Sequence, residues 1–122
     1  MTTPGSGAGS TVSTHVLDTT TGTPARGVRV SLERVLEHGE GDVLGSGVTD
    51  NDGRARNLLG AGRTLGEGVY RLRFDTDAYF ARDGRATFFP DVSITFRVGD
   101  DPQHFHVPLL LSPFGYTTYR GS

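Results

Sequence analysis

Cysteine is absent from the 122-residue chain, which removes disulfides, thiol nucleophiles and thiolate metal sites together and leaves the redox compartment open. No run of roughly 18 or more apolar residues occurs, so no membrane-spanning helix is expected. Charge of one sign is also missing. Twelve Lys and Arg stand against 14 Asp and Glu, a formal charge of -2, whereas binding a phosphate backbone needs a clustered basic face; nucleic acid is not an expected partner. The opening MTTPGSGAGSTVS has neither a basic n-region nor an apolar h-region, so it does not read as a secretory signal, and the cytoplasm is the expected compartment. Its first ten residues bury too little to offset the entropy of ordering. They are expected to form a flexible leader (1–10) ahead of a single domain (11–122).

What is present is a series of short alternating segments separated by turn signals. Val12, Thr14 and Val16 alternate with Ser13, His15 and Leu17, and Val28, Val30 and Leu32 with Arg29, Ser31 and Glu33 in a strand reaching about Glu37. A loop at His38–Asp42 precedes a strand from Val43 to Thr49, and the turn Asp50-Asn51-Asp52-Gly53 leads directly to Arg54. Tyr70, Leu72 and Phe74 form an inward face between Val69 and Asp75. Thr76–Arg82 reads as a short helix capped by Thr76 or Asp77. Val92, Ile94, Phe96 and Val98 mark a further strand, ended by Gly99-Asp100-Asp101-Pro102. Seven or eight short strands with at most one helix point to a β-sandwich, not a parallel α/β sheet.

The last nineteen residues, HFHVPLLLSPFGYTTYRGS, read as strand, turn and strand. Phe105, Val107, Leu109 and Leu111 share one face, and His104, His106 and Leu110 the other. Pro108 cannot donate a ladder hydrogen bond, so a bulge or local loss of pairing is expected there. Two imidazoles on one face admit three readings: solvated surface histidines, two ligands of a metal, or a catalytic imidazole with a neighbour. A zinc site would need a third ligand, which His15 could supply if the first and second-last strands met. The chain then stops on Tyr119-Arg120-Gly121-Ser122 with no polar spacer, an ending expected to be placed in a site.

This segment resembles the C-terminal signature of the transthyretin-related 5-hydroxyisourate hydrolases, which end in YRGS; the hormone carrier of the same fold lacks that tetrapeptide. Two further stretches are similar to motifs of that family: Ser13-Thr14-His15-Val16-Leu17-Asp18-Thr19, and the Thr49–Arg54 turn. The resemblance covers about Ser13 to Ser122. It implies a transthyretin-like sandwich of two four-stranded sheets with one short helix, assembled as a homotetramer with its sites in a channel between dimers. Exposed Tyr116 and Thr118 and outward Leu110 are the residues expected at such an interface.

The same resemblance implies the activity: opening of the six-membered ring of 5-hydroxyisourate by water, giving 2-oxo-4-hydroxy-4-carboxy-5-ureidoimidazoline in urate degradation. It places His15, Arg54 and His106 as catalytic, with Tyr119 and Ser122 completing the hydrogen bonds to substrate and no catalytic role for His104. The chemistry suits these residue types. A neutral imidazole can take a proton from water near pH 7, and a guanidinium stays charged to hold carbonyls or a developing oxyanion. Which histidine is the base stays open, and the scheme requires neither cofactor nor metal. The alternative is a small-molecule carrier on the same fold, without catalysis.

Overall fold

The computed structural model of the protein describes residues 9–122. Of the expected leader, residues 1–8 lie outside the described residues. Ser10 is buried and exchanges backbone hydrogen bonds with Leu65 of 2.9 and 2.7 Å. The elements that follow are β1 (Thr11–Asp18), β2 (Thr23–Pro24), β3 (Arg29–Val35), β4 (Gly41–Val48), β5 (Arg54–Ala55), β6 (Gly68–Phe74), α1 (Thr76–Ala81), β7 (Val92–Val98), β8 (His104–Ser112) and β9 (Gly115–Thr118).

Two sheets face each other. One runs β4-β3-β6-β7, the other β2-β1-β8-β9, with the two-residue β5 added on β1. This is the expected sandwich of two four-stranded sheets and a helix, with one short extra strand. The alternation in the sequence builds it directly. Val12, Val16, Phe105, Val107, Leu109 and Leu111 of one sheet are buried against Val30, Leu32, Tyr70, Leu72, Phe74, Ile94 and Val98 of the other.

β1 lies parallel to β8, pairing Ser13 with His106 and His15 with Pro108. Burial of one large apolar side chain stabilises by about 1.5–3 kcal/mol. A one-residue slip of β8 would turn Phe105, Val107, Leu109 and Leu111 outward in exchange for His104, His106, Pro108 and Leu110, so the core fixes the register and keeps the histidines on the outer face.

Three details differ from the sequence expectation, and at Pro108 one of its two alternatives holds. Asp75 caps α1 in place of Thr76 or Asp77, its carboxylate accepting from Ala78 N at 3.3 Å. Thr76 is buried, and its hydroxyl donates to the Phe89 carbonyl. β3 stops at Val35, short of Glu37, because Leu36 N donates to Glu40 O and Gly39, at φ 89°, turns the chain. β4 therefore starts at Gly41, inside the expected loop. At Pro108 there is no bulge, since the register with β1 runs through it unbroken. The loss of pairing falls on the other side: the ladder to β9 ends at Leu109 and Thr118, and a single bridge joins His106 to Gly121 beyond it. The Pro108 carbonyl accepts instead from the Thr118 hydroxyl at 2.8 Å.

Candidate active site

Three separate stretches of chain meet on the outer face of the β1–β8 sheet. β1 supplies Thr11, Ser13 and His15, and β8 supplies His104 and His106 beside them. β5 pairs His15 with Arg54, which places the arginine on the same face while its neighbour Ala55 is buried opposite Thr14.

Arg54 owes its position to the turn before it. The Asp50 carboxylate accepts from Asp52 N at 2.9 Å and Arg54 N at 3.0 Å, and pairs with Arg56 at 2.9 Å. The Arg54 N–H, ahead of a slight opposing desolvation, holds the Asp50 carboxyl below its ordinary pKa. Gly53 sits at φ 76°, and any Cβ there would run into the Val16 carbonyl of β1. Only glycine lets the turn dock closely enough for Gly53 O to accept from Val16 N at 2.7 Å. At the base of the turn the buried Thr49 hydroxyl accepts from Val28 N and donates to Ala25 O.

His106 is half-buried on this face. Its Nδ1 lies 2.9 Å from Ser13 Oγ, and Gly121 N donates to its backbone carbonyl at 2.8 Å. Burial, followed by the Arg54 guanidinium and then the neighbouring His15 and His104 imidazoles, lowers the His106 pKa below the ordinary imidazole value. The ring is therefore neutral at pH 7. Ser13 Oγ also lies 2.8 Å from His104 Nε2, and Thr11 Oγ1 lies 2.6 Å from His104 Nδ1.

The structure thus brings together His15, Arg54 and His106, residues far apart in the sequence. It also draws the tail to them: a Cβ placed on Gly121 would come 2.6 Å from His106 Cδ2 and 3.2 Å from Pro108 Cγ. Ser122 follows Gly121 directly and is exposed. Tyr119 is not gathered with the three. It is 55% exposed and lines a groove of about 340 Å³ at the sandwich margin with Ile94, Phe96, Phe105, Val107 and Arg120. Among the described residues no three His, Cys, Asp or Glu side chains group closely enough to share a metal ion, so the zinc reading that needed His15 as third ligand finds no cluster.

Ser13 went without a role in the sequence reading. Its signal was available in the period-two alternation, which puts it on the face of His15, but its contacts with His104 and His106 needed the parallel pairing to appear.

A family model described as HIUase/Transthyretin family matches residues 12–121. The chain belongs to that family. It is 45% identical over 115 residues to the 5-hydroxyisourate hydrolase of Halalkalibacterium halodurans, covering 91% of this chain and 97% of that one. The structure of Klebsiella pneumoniae 5-hydroxyisourate hydrolase superposes with a TM-score of 0.81 at 47% identity, covering 93% of this chain and 99% of that chain. Sea bream transthyretin in complex with thyroxine has a TM-score of 0.79 at 32% identity, covering 90% and 93%. The transthyretin-like sandwich is thereby the fold of this chain.

Proposed function

We propose that this chain is a 5-hydroxyisourate hydrolase of urate degradation, in which His106 is the general base, Arg54 the electrophilic clamp and His15 a substrate-orienting imidazole. The observation that carries the reading is the convergence of Arg54, His15 and a neutral His106 on one sheet face. The identity of about 45% to proteins named for that activity supports it over nearly the whole chain. A carrier cavity has no need of a turn built to hold one arginine beside two histidines, and this favours the enzyme over the carrier.

In the proposed step His106 Nε2 takes a proton from water, and the hydroxide adds to the acyl carbon. Arg54 stabilises the oxyanion. The C–N bond then breaks, and the ring nitrogen leaves with a proton returned from the imidazolium. Ser122, the residue after Gly121, is proposed to bind substrate at the edge of this face.

The assembly proposed is a homotetramer. Tyr116 is 40% exposed, Thr118 is exposed and Leu110 is half-buried. Tyr116 pairs with Leu111 and Thr118 with Leu109, so both lie on the side of the sheet opposite Leu110. They mark two separate margins, not one patch, and Tyr116 packs edge-on to Phe89.

The test is the absorbance decay of freshly made 5-hydroxyisourate with and without protein, alongside size-exclusion chromatography. Decay no faster than the uncatalysed rate would sink the enzyme reading, and thyroxine-like aromatic binding without turnover would replace it with the carrier.

A further inference from the structure

Behind His106 the outer face carries an unbroken line of short contacts: Thr11 Oγ1 to His104 Nδ1, His104 Nε2 to Ser13 Oγ, and Ser13 Oγ to His106 Nδ1, at 2.6, 2.8 and 2.9 Å. A hydroxyl owns one hydrogen, so Ser13 can donate to only one of the two imidazoles. If both rings are neutral and the Ser13 hydrogen stays within the line, the line runs in one of two directions. In the first, His106 Nδ1–H donates to Ser13, Ser13 donates to His104 Nε2, and His104 Nδ1–H donates to Thr11. The Nε2 of His106 is then a bare lone pair. In the reverse direction His106 carries its proton on Nε2, for which no described side chain is an acceptor.

The surroundings choose between them. His106 is faced by Arg54 from β5, His15 and Ser13 from β1, His104 from its own strand, and Gly121 from the tail. The charged group among these is a cation, so a lone pair turned outward is favoured over an N–H. The Cδ2 edge of the ring lies against Gly121, so a flipped ring would turn Nδ1 toward the tail and lose its contact with Ser13.

The geometry points to Ser13 as a positioning residue that locks His106 into the Nδ1–H tautomer, with His104 and Thr11 anchoring the far end of the line. This rests on His106 as the base of the proposed reaction. It gives His104, to which the sequence reading assigned no catalytic role, a part exerted through Ser13 and not on substrate. When His106 gains the proton of water at Nε2, the ring becomes a cation and its Nδ1–H bond to Ser13 becomes charge-assisted and stronger. Ser13 thus stabilises the transition state more than the ground state, and its loss is felt in kcat with KM little changed.

The test is the ¹⁵N–¹H correlation spectrum of the imidazoles in ¹⁵N-histidine-labelled protein, with kinetics on Ser13→Ala, Ser13→Thr and His104→Ala. In the unmodified protein, His106 Nε2 is expected at the shift of an unprotonated nitrogen. Ser13→Ala should mix the tautomers and lower kcat by about tenfold, a fraction of the 10²–10⁴ that a whole general-base contribution is worth. Ser13→Thr should restore both readouts, and His104→Ala should have a milder effect, because Ser13 can still accept from His106. An Nε2–H tautomer in the unmodified protein overturns the proposal, as does an unchanged tautomer or unchanged kcat in Ser13→Ala. The spectrum needs no substrate. Failure of the unmodified protein to turn over 5-hydroxyisourate would therefore sink the functional reading while leaving the tautomer question decided separately.

Discussion

Gly121→Ala tests whether the tail belongs to the site. The added methyl would meet His106 Cδ2 at 2.6 Å, closer than real Cβ contacts allow, and Pro108 Cγ at a tight 3.2 Å, and neither neighbour is a flexible chain end. Two responses are open. The tail can lift off, losing the 2.8 Å bond from Gly121 N to His106 O, or the His106 ring can turn, losing the 2.9 Å contact with Ser13. Either costs one hydrogen bond, about 0.5–1.5 kcal/mol, which lowers the population of the assembled site by between about two- and tenfold. The core is untouched, so Tm should fall by no more than about 6 °C. Initial rates of 5-hydroxyisourate decay should drop several-fold while the fall in Tm stays within that limit. A variant with full activity would refute the reasoning and remove the tail from the site.

His106→Ala should cost on the order of 10²-fold or more in turnover with the fold intact, and His104→Ala much less, by steady-state kinetics; a larger loss at His104 would show that the roles are exchanged. Because His106 is held below the ordinary imidazole value of about 6.5, its base form persists as pH falls, and the acid limb of kcat/KM should lie below that value; a limb above it would contradict the assignment. Dialysis against a strong chelator should leave activity unchanged, whereas loss restored by zinc alone would make the histidines metal ligands. The fully buried Asp18 carboxylate accepts from Tyr79 OH and Arg85 at 2.8 Å each. Burial alone would raise its pKa, but Arg85, Tyr79 and the Thr21 N–H outweigh burial and lower it. The stability it contributes is present above the unfolded value of about 3.9 and is lost as pH falls through the folded one. Arg85→Met should cost about 3 kcal/mol in urea unfolding at pH 7, as breaking a buried pair does, and the deficit should shrink in acid as Asp18 is protonated.

Local pattern was enough to determine much of this protein. Period-two alternation fixed which side chains of β1, β6, β7 and β8 face the core, because a strand buried on one face has no other way to hide Phe105, Leu109 or Phe74. The turn at Asp50–Gly53 and the arginine that follows it were legible as a turn, and the three motifs together pointed to the family. The α1 cap was misplaced by one residue because Asp75, Thr76 and Asp77 are all competent caps, and burial of Thr76 beneath Phe89 decided among them. Pairing partners were illegible altogether. Whether β1 meets β8, and in which direction, depends on contacts between residues about ninety positions apart, and no local periodicity encodes that. Only the parallel register sets Ser13 between His104 and His106, and only β5 docking on β1 through Gly53 brings Arg54 to His15. The tertiary structure also separated Tyr119 from Gly121. Pro108 has no N–H to hold the tail in the ladder, so between Thr118 and the Gly121 bridge the chain runs unpaired, leaving the tyrosine at the sandwich margin and returning the glycine to His106.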